Sequence, residues 1–197
     1  MKRLMILGCA LVSILMVCAT LNYISYYIYD DVNVDTEEVR EYCSNNNYST
    51  DYCFLVDFSK PSGVDRFYIY DFKQDKVIYS SLCAHGLGKN YNIFKTTFSN
   101  TVDSNYSSLG KYEVGNLRKM RSPKRKVGYT LYGLEETNSN ALKRGILIHD
   151  GNPEFHMFPL PCLPMSQGCF AVSHSMMQEI EKIKNKTNKP ILLYAYN

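Results

Sequence analysis

The sequence predicts a mainly β domain followed by one late α-helix, and three observations predict it. Aromatic residues are abundant, with 17 Tyr and 9 Phe but no Trp. They cluster with β-branched residues in short runs broken by Asn, Ser and Gly, which is the pattern of strands and turns. Beyond the N-terminal apolar run, a helical apolar stripe with its own start signal is clear once, at residues 175–183.

Length and composition narrow the class further. The 197 residues suit one compact domain. Apolar residues make up 45% and charged residues 21%, which excludes both a disordered tail and a membrane bundle. Lys2 and Arg3 supply two of the net +3 charges, so the remainder is near neutral and is not a basic nucleic-acid binder.

Lys2-Arg3 precede an uncharged apolar stretch from Leu4 to Leu21, the pattern of an export leader. Val17-Cys18-Ala19 offers small residues for cleavage after Ala19. At 18 residues the stretch is slightly long for a cleaved leader and slightly short of the roughly 20 that cross a bilayer. Residues 1–21 are therefore read as a signal peptide, with a retained membrane anchor through residues 4–21 as the alternative. Neither Cys9 nor Cys18 has the combination of apolar run and small neighbours that marks a lipidated cysteine. Residues 22–50, with Asp30-Asp31, Glu37-Glu38 and Asn45 to Asn47, read as a polar tether to a domain over 51–197.

Within that domain, Phe54 to Phe58 reads as a strand. Arg66 to Tyr70 and Val77 to Tyr79 form a hairpin around the turn at residues 72–76. Residues 86–109 are rich in Gly, Asn, Ser and Thr and read as a long loop. Strands follow at Lys111 to Leu117, Gly128 to Leu134 and Gly145 to His149. Pro153, Pro159, Pro161 and Pro164 exclude a helix or central strand over 151–168. Ser175 and Gln178 form a capping box for a helix whose stripe is Met176, Met177, Ile180 and Ile183. Pro190 leads into a last strand, Ile191 to Tyr194. The run Arg118 to Lys126 carries six positive charges and no acid. It reads as a solvated hairpin tip, with binding of an anionic polymer or phospholipid headgroups as the alternative.

Five cysteines lie beyond the leader: Cys43, Cys53, Cys83, Cys162 and Cys169. An oxidising compartment favours pairing, and an odd number leaves one thiol over, so two disulfides and one single thiol are expected. The chemistry-bearing pair is His149, at the end of an apolar strand, and Cys169 in Ser166-Gln167-Gly168-Cys169. A neighbouring imidazole makes a thiol nucleophilic, and consecutive backbone N–H groups beside a Gly can hold an oxyanion. The other reading of the pair is half a disulfide and an unrelated histidine. Among the remaining histidines, His85 sits in a Gly-rich turn, while His156 and His174 read as surface residues. A zinc site from His149, His156 and Cys169 lacks the close ligand pairs typical of that metal, so no metal and no cofactor is expected.

These residues resemble the signature of the L,D-transpeptidases with a YkuD-type catalytic domain. That signature is a His, then 14 to 17 residues, then Ser/Thr-x-Gly-Cys; here 16 residues separate His149 from Ser166. The branch often called murein L,D-transpeptidase catalytic domain-like is the closer match. Its elements occur in order as His85-Gly86-Leu87-Gly88, Phe98-Ser99-Asn100, Ser107 to Tyr112, Gly133-Leu134-Glu135 and Arg144 to His149. The resemblance covers residues 54–197. Gln167 departs from the His or Trp of many members.

The resemblance implies a β-sandwich-like catalytic domain acting on peptidoglycan stem peptides in the cell envelope or periplasm. Cys169 would be the nucleophile and His149 the general base, with the backbone carbonyl of Asp150 orienting the imidazole. The N–H groups of Gly168 and Cys169 would hold the oxyanion, and His85, Ser166 and Gln167 would contact substrate. The thioester would pass to an amine, making a 3-3 cross-link, or to water, as in an L,D-carboxypeptidase. A non-catalytic peptidoglycan-binding protein is the third expectation. Pairing Cys83 with Cys162 would pin the Pro-rich loop beside His85 and leave Cys43 with Cys53.

Overall fold

The computed structural model describes residues 2–29, 32–89, 96–120, 127–162 and 165–197, with the backbone alone for residues 2–5. Asp30-Asp31, residues 90–95 of the long loop, residues 121–126 of the basic run and Leu163-Pro164 lie outside the described residues.

In chain order the elements are α1 (Lys2–Ile28), α2 (Thr36–Asn45), β1 (Tyr52–Asp57), β2 (Phe67–Asp71), β3 (Lys76–Ser81), β4 (Gly110–Lys119) and β5 (Val127–Gly133). They continue with α3 (Ala141–Arg144), β6 (Leu147–Asn152), β7 (Phe170–Ser173), α4 (His174–Lys186) and β8 (Ile191–Tyr196). Among the described residues the strands form one sheet of eight, in the order β3-β2-β1-β8-β4-β5-β6-β7. The segment after β3 bridges back to β7, with Ala84 antiparallel to Ala171, so the sheet curls into a nearly closed barrel. The expected β class with a late helix is the one observed.

Alternation along β1 explains why its run is apolar throughout. Phe54 and Val56 point into the main core, where α4 contributes Met176, Met177, Ile180 and Ile183. Cys53 and Leu55 point to the other face, where Val39 and Cys43 of α2 cover them together with Tyr68 and Tyr70. A strand buried on both faces loses the polar half of its alternation. The hairpin expected at residues 66–79 is β2 and β3, paired antiparallel from Phe67↔Ser81 to Asp71↔Lys76.

Three local expectations are corrected. Residues 36–45, read as part of a polar tether, form α2: the Asp35 side chain accepts from the N–H groups of Glu37 and Glu38, and both acids sit in the first turn. The charges that looked like linker composition are thus a helix start. The late helix is capped by Ser173, whose Oγ accepts from Met176 N–H at 3.2 Å, two residues before the expected cap. Ser175 instead donates to Glu154, from the loop ahead of the helix. The strand expected at residues 145–149 starts at Leu147, because Gly145 at φ 68° is the C-cap of α3, and it extends to Asn152.

The expected disulfides are also absent: no disulfide joins any of the described cysteines. Cys43 influences the ionisation of Cys53, and Cys162 that of Cys83, so both expected pairs are neighbours. Burial pushes the thiols of Cys43 and Cys83 up to about 12 and that of Cys162 up to about 11, and raises Cys53 well above its ordinary value.

Candidate active site

His149 lies in the middle of β6, between β5 and β7, and is 1% exposed. Its Nδ1 is 2.6 Å from the carbonyl oxygen of Asp150. A carbonyl can only accept, so Nδ1 carries the proton and Nε2 is the basic nitrogen. This is the orientation a general base needs, and the Asp150 side chain takes no part in it; its Oδ2 lies 3.7 Å from Nδ1 of His174.

Parallel pairing of β6 with β7 brings the thiol alongside. His149 is opposite Ala171, and Cys169 immediately precedes β7, so the two residues lie on adjoining segments of the chain. The half-buried Cys169 has its Sγ 3.7 Å from the carbonyl oxygen of Gly145. Its turn is held from inside. Ser166 Oγ donates to the Cys169 carbonyl at 2.6 Å and accepts from Gly168 N–H at 3.2 Å. Ser107 Oγ donates to the Gly168 carbonyl at 3.1 Å and accepts from Gly86 N–H at 3.0 Å. Gly168 adopts φ 111°, which disfavours any side chain. A Cβ there would also stand 2.9 Å from both Ile146 Cδ1 and the Tyr106 carbonyl.

The residues expected to contact substrate are placed differently from one another. Gln167 is exposed beside Cys169. Ser166 is nearly buried and works within the turn. His85 is 2% exposed and turned inward: Nη2 of Arg66 donates to its Nδ1 at 2.8 Å. Burial, then the Arg66 charge, bring the His85 imidazole down to about 3. The backbone of His85 touches the site, because its carbonyl accepts from Ser166 N–H at 3.0 Å while Leu87 N–H donates to the Ser166 carbonyl at 3.2 Å. His85 therefore sits behind the thiol turn rather than in front of it.

Two arginines complete the frame and were not singled out from sequence. Arg66, fully buried, donates from Nε to the Cys83 carbonyl at 2.7 Å and from Nη1 to the Lys60 carbonyl at 3.1 Å. Its signal was a charge at the head of the run Phe67 to Tyr70. Arg144, quoted only as part of a motif, donates from Nη1 to the Ser99 carbonyl at 2.7 Å and to Ser108 Oγ at 3.2 Å, and from Nη2 to the Tyr106 carbonyl. Burial lowers its guanidinium, and Cys169 is among the groups that raise it again, so its charge reaches the thiol.

The L,D-transpeptidase catalytic domain family matches residues 29–196. No curated protein sequence matches the chain. Among solved structures, an L,D-transpeptidase from Enterococcus faecium is 14% identical with a TM-score of 0.43, over 74% of this chain and 50% of that one. The helical cell shape determining protein of Campylobacter jejuni is 12% identical with a TM-score of 0.48, over 80% and 55%. An L,D-transpeptidase from Mycobacterium smegmatis is 10% identical with a TM-score of 0.42, over 75% and 59%. The chain thus spans about half the length of the first of these structures. With nearly all of the chain after α1 matched, this protein belongs to the L,D-transpeptidase catalytic domain family.

Proposed function

We propose that this protein is an exported, membrane-anchored cysteine acyltransferase acting on peptidoglycan stem peptides, with Cys169 as nucleophile and His149 as base. The observation that carries the reading is the His149 Nδ1–Asp150 carbonyl bond, which leaves Nε2 as the basic atom in the strand paired with the one that Cys169 leads into.

The thiol gives its proton to His149 Nε2, and Sγ attacks the carbonyl carbon of the donor's diamino acid. A C–S bond forms and the carbonyl π pair moves to oxygen. Collapse breaks the C–N bond, and the leaving terminal D-alanine takes its amine proton from the imidazolium. The oxyanion takes the Cys169 N–H. Gly168 N–H donates to Ser166 Oγ at a long 3.2 Å and joins the oxyanion on releasing that contact. An acceptor amine, deprotonated by His149, then attacks the thioester and restores the thiol, leaving a 3-3 cross-link. Gln167, exposed beside the thiol, contacts the incoming peptide.

The test is incubation of the full chain with purified disaccharide-tetrapeptide and separation of the products, with Cys169→Ala in parallel. Cross-linked dimer from the wild type alone supports transpeptidation. Tripeptide without dimer assigns L,D-carboxypeptidation on the same residues. Peptidoglycan binding with no turnover by either protein overturns the catalytic reading.

A further inference from the structure

We propose that the loop at residues 155–160 rests in the outer interface of the phospholipid bilayer, so that the catalytic domain is seated on the membrane rather than tethered at a distance. The inference goes beyond the acyl-transfer reading and rests only on retention of α1 as an anchor.

Residues Ile6–Ile28 of α1 form an apolar helical stretch of 23 residues, long enough to cross a bilayer. Its final turns change character. Tyr23, Tyr26 and Tyr27 gather there, with Tyr29 directly after the helix, the residue type that favours the membrane–water interface. This same portion is fastened to the domain. Asn22 Nδ2 donates to the His156 carbonyl at 2.7 Å. Ser25 Oγ, on a residue 1% exposed, lies 3.1 Å from His156 Nδ1. Tyr26 stacks on the His156 ring with centroids 3.7 Å apart and planes 6° apart. Below it, Lys60 Nζ donates to the Tyr29 carbonyl at 2.7 Å. On the far side, His156 Nε2 accepts from Asp65 N–H at 3.0 Å, so the clasp is continuous with the domain.

The clasp fixes the height of the loop. A cavity of about 560 Å³ is shared between the loop and α1 and reaches as far as Cys18 and Ala19. These two residues belong to the apolar run Leu4 to Leu21. From Ala19 to Tyr26 the helix rises about 10 Å, more than the roughly 5–7.5 Å of one headgroup layer. A loop lying beside that stretch must therefore enter the interface whenever the run spans the bilayer. Its side chains suit that place: Phe155 and Leu160 are 64% and 62% exposed, and Pro159 between them is also exposed. Large apolar groups turned outward from a loop fastened at His156 face the solvent only if no membrane is there. The loop also joins β6 to β7, and so His149 to Cys169, which places the bilayer on one side of the segment connecting the two.

The chain has no Trp, so one introduced tryptophan reports its own surroundings. The full chain carrying Phe155→Trp is reconstituted in phosphatidylcholine vesicles whose acyl chains are brominated near the headgroup. A second chain carries Gln74→Trp, in the turn at the opposite end of β2. Flotation shows whether the protein stays with the vesicles. The expected result is bromine quenching in the Phe155→Trp chain at least several-fold stronger than in the Gln74→Trp chain. If the Phe155→Trp chain floats but its indole is quenched by aqueous acrylamide and not by bromolipid, the seating is overturned while the anchor stands. Failure to float overturns the anchor and the seating with it, and leaves the acyl-transfer reading to its own assay.

Discussion

Nη2 of Arg66 donates to Nδ1 of His85 at 2.8 Å inside the barrel, directly behind the turn that carries Cys169. The arginine has no carboxylate within ion-pair distance among the described residues and is held instead by two carbonyls and an imidazole. Removing it takes a buried donor away from the Cys83 and Lys60 carbonyls and from the His85 nitrogen. Arg66→Leu is expected to lower stability by about 3–5 kcal/mol, read by denaturant unfolding of the full chain in detergent.

The same contact sets a pH dependence. His85 ionises near 3 in the folded chain, against an ordinary 6.5, because of burial and then the Arg66 charge. The folded state binds fewer protons than the unfolded state between those values, so the contribution is full above pH 6.5 and is lost as pH falls toward 3. Stability is expected to drop along this acid limb, by an amount on the order of 3–5 kcal/mol for His85 alone. His85→Gln, which keeps an acceptor for Arg66 and cannot titrate, is expected to flatten the limb. An unchanged pH–stability curve in that variant contradicts the assignment.

His149 and Cys169 stood out in the sequence through the spacing and the ordered motifs that resemble the family, and their catalytic roles are the reading proposed above. The frame behind them did not stand out. Arg66 and His85 meet across the gap between β2 and the segment after β3, and nothing in either run announces the other. His85 looked like a groove residue because a Gly-rich turn suggests exposure; the inward turn comes from barrel closure at Ala84 and Ala171. The α2 helix was missed because its apolar face is only Val39 and Cys43, too narrow to stand out among acids. The clasp between α1 and His156 joins residues 131 or so apart in the chain, beyond the reach of periodicity.

Arg144 ties residues 99, 106 and 108 to the back of the thiol turn, where its Nη2 would lie 3.2 Å from a Cβ on Gly168. Lysine keeps the charge but not the fork that reaches three acceptors. Arg144→Lys is expected to reduce kcat by about 10²-fold, since small displacements of a nucleophile are that severe, with KM little changed. Steady-state kinetics on tetrapeptide separate this from a binding defect, which would move KM instead.

Gly168→Ala tests the turn itself. The positive φ and the 2.9 Å approaches to Ile146 and Tyr106 force the backbone to shift. Strain of about 1–3 kcal/mol is expected in unfolding measurements, with a larger proportional loss of turnover. Near-normal kcat in this variant contradicts the placement of the thiol turn.

Thiol chemistry distinguishes Cys169 from its neighbours. Cys43, Cys83 and Cys162 are held up at about 12, 12 and 11 by burial, whereas Cys169 is half-exposed. Brief iodoacetamide treatment of the native chain at mildly alkaline pH is expected to label Cys169 well before Cys43, Cys53, Cys83 or Cys162, as read by peptide mapping. Equal labelling of the buried thiols contradicts the packing around them.

The most direct test of Cys169 as nucleophile is intact-mass measurement of the full chain after a short exposure to disaccharide-tetrapeptide. The account predicts an added mass equal to the donor less D-alanine, localised to Cys169, absent from Cys169→Ala and slow to form in His149→Ala. Release of D-alanine by Cys169→Ala at the wild-type rate, with no adduct on either protein, would contradict it.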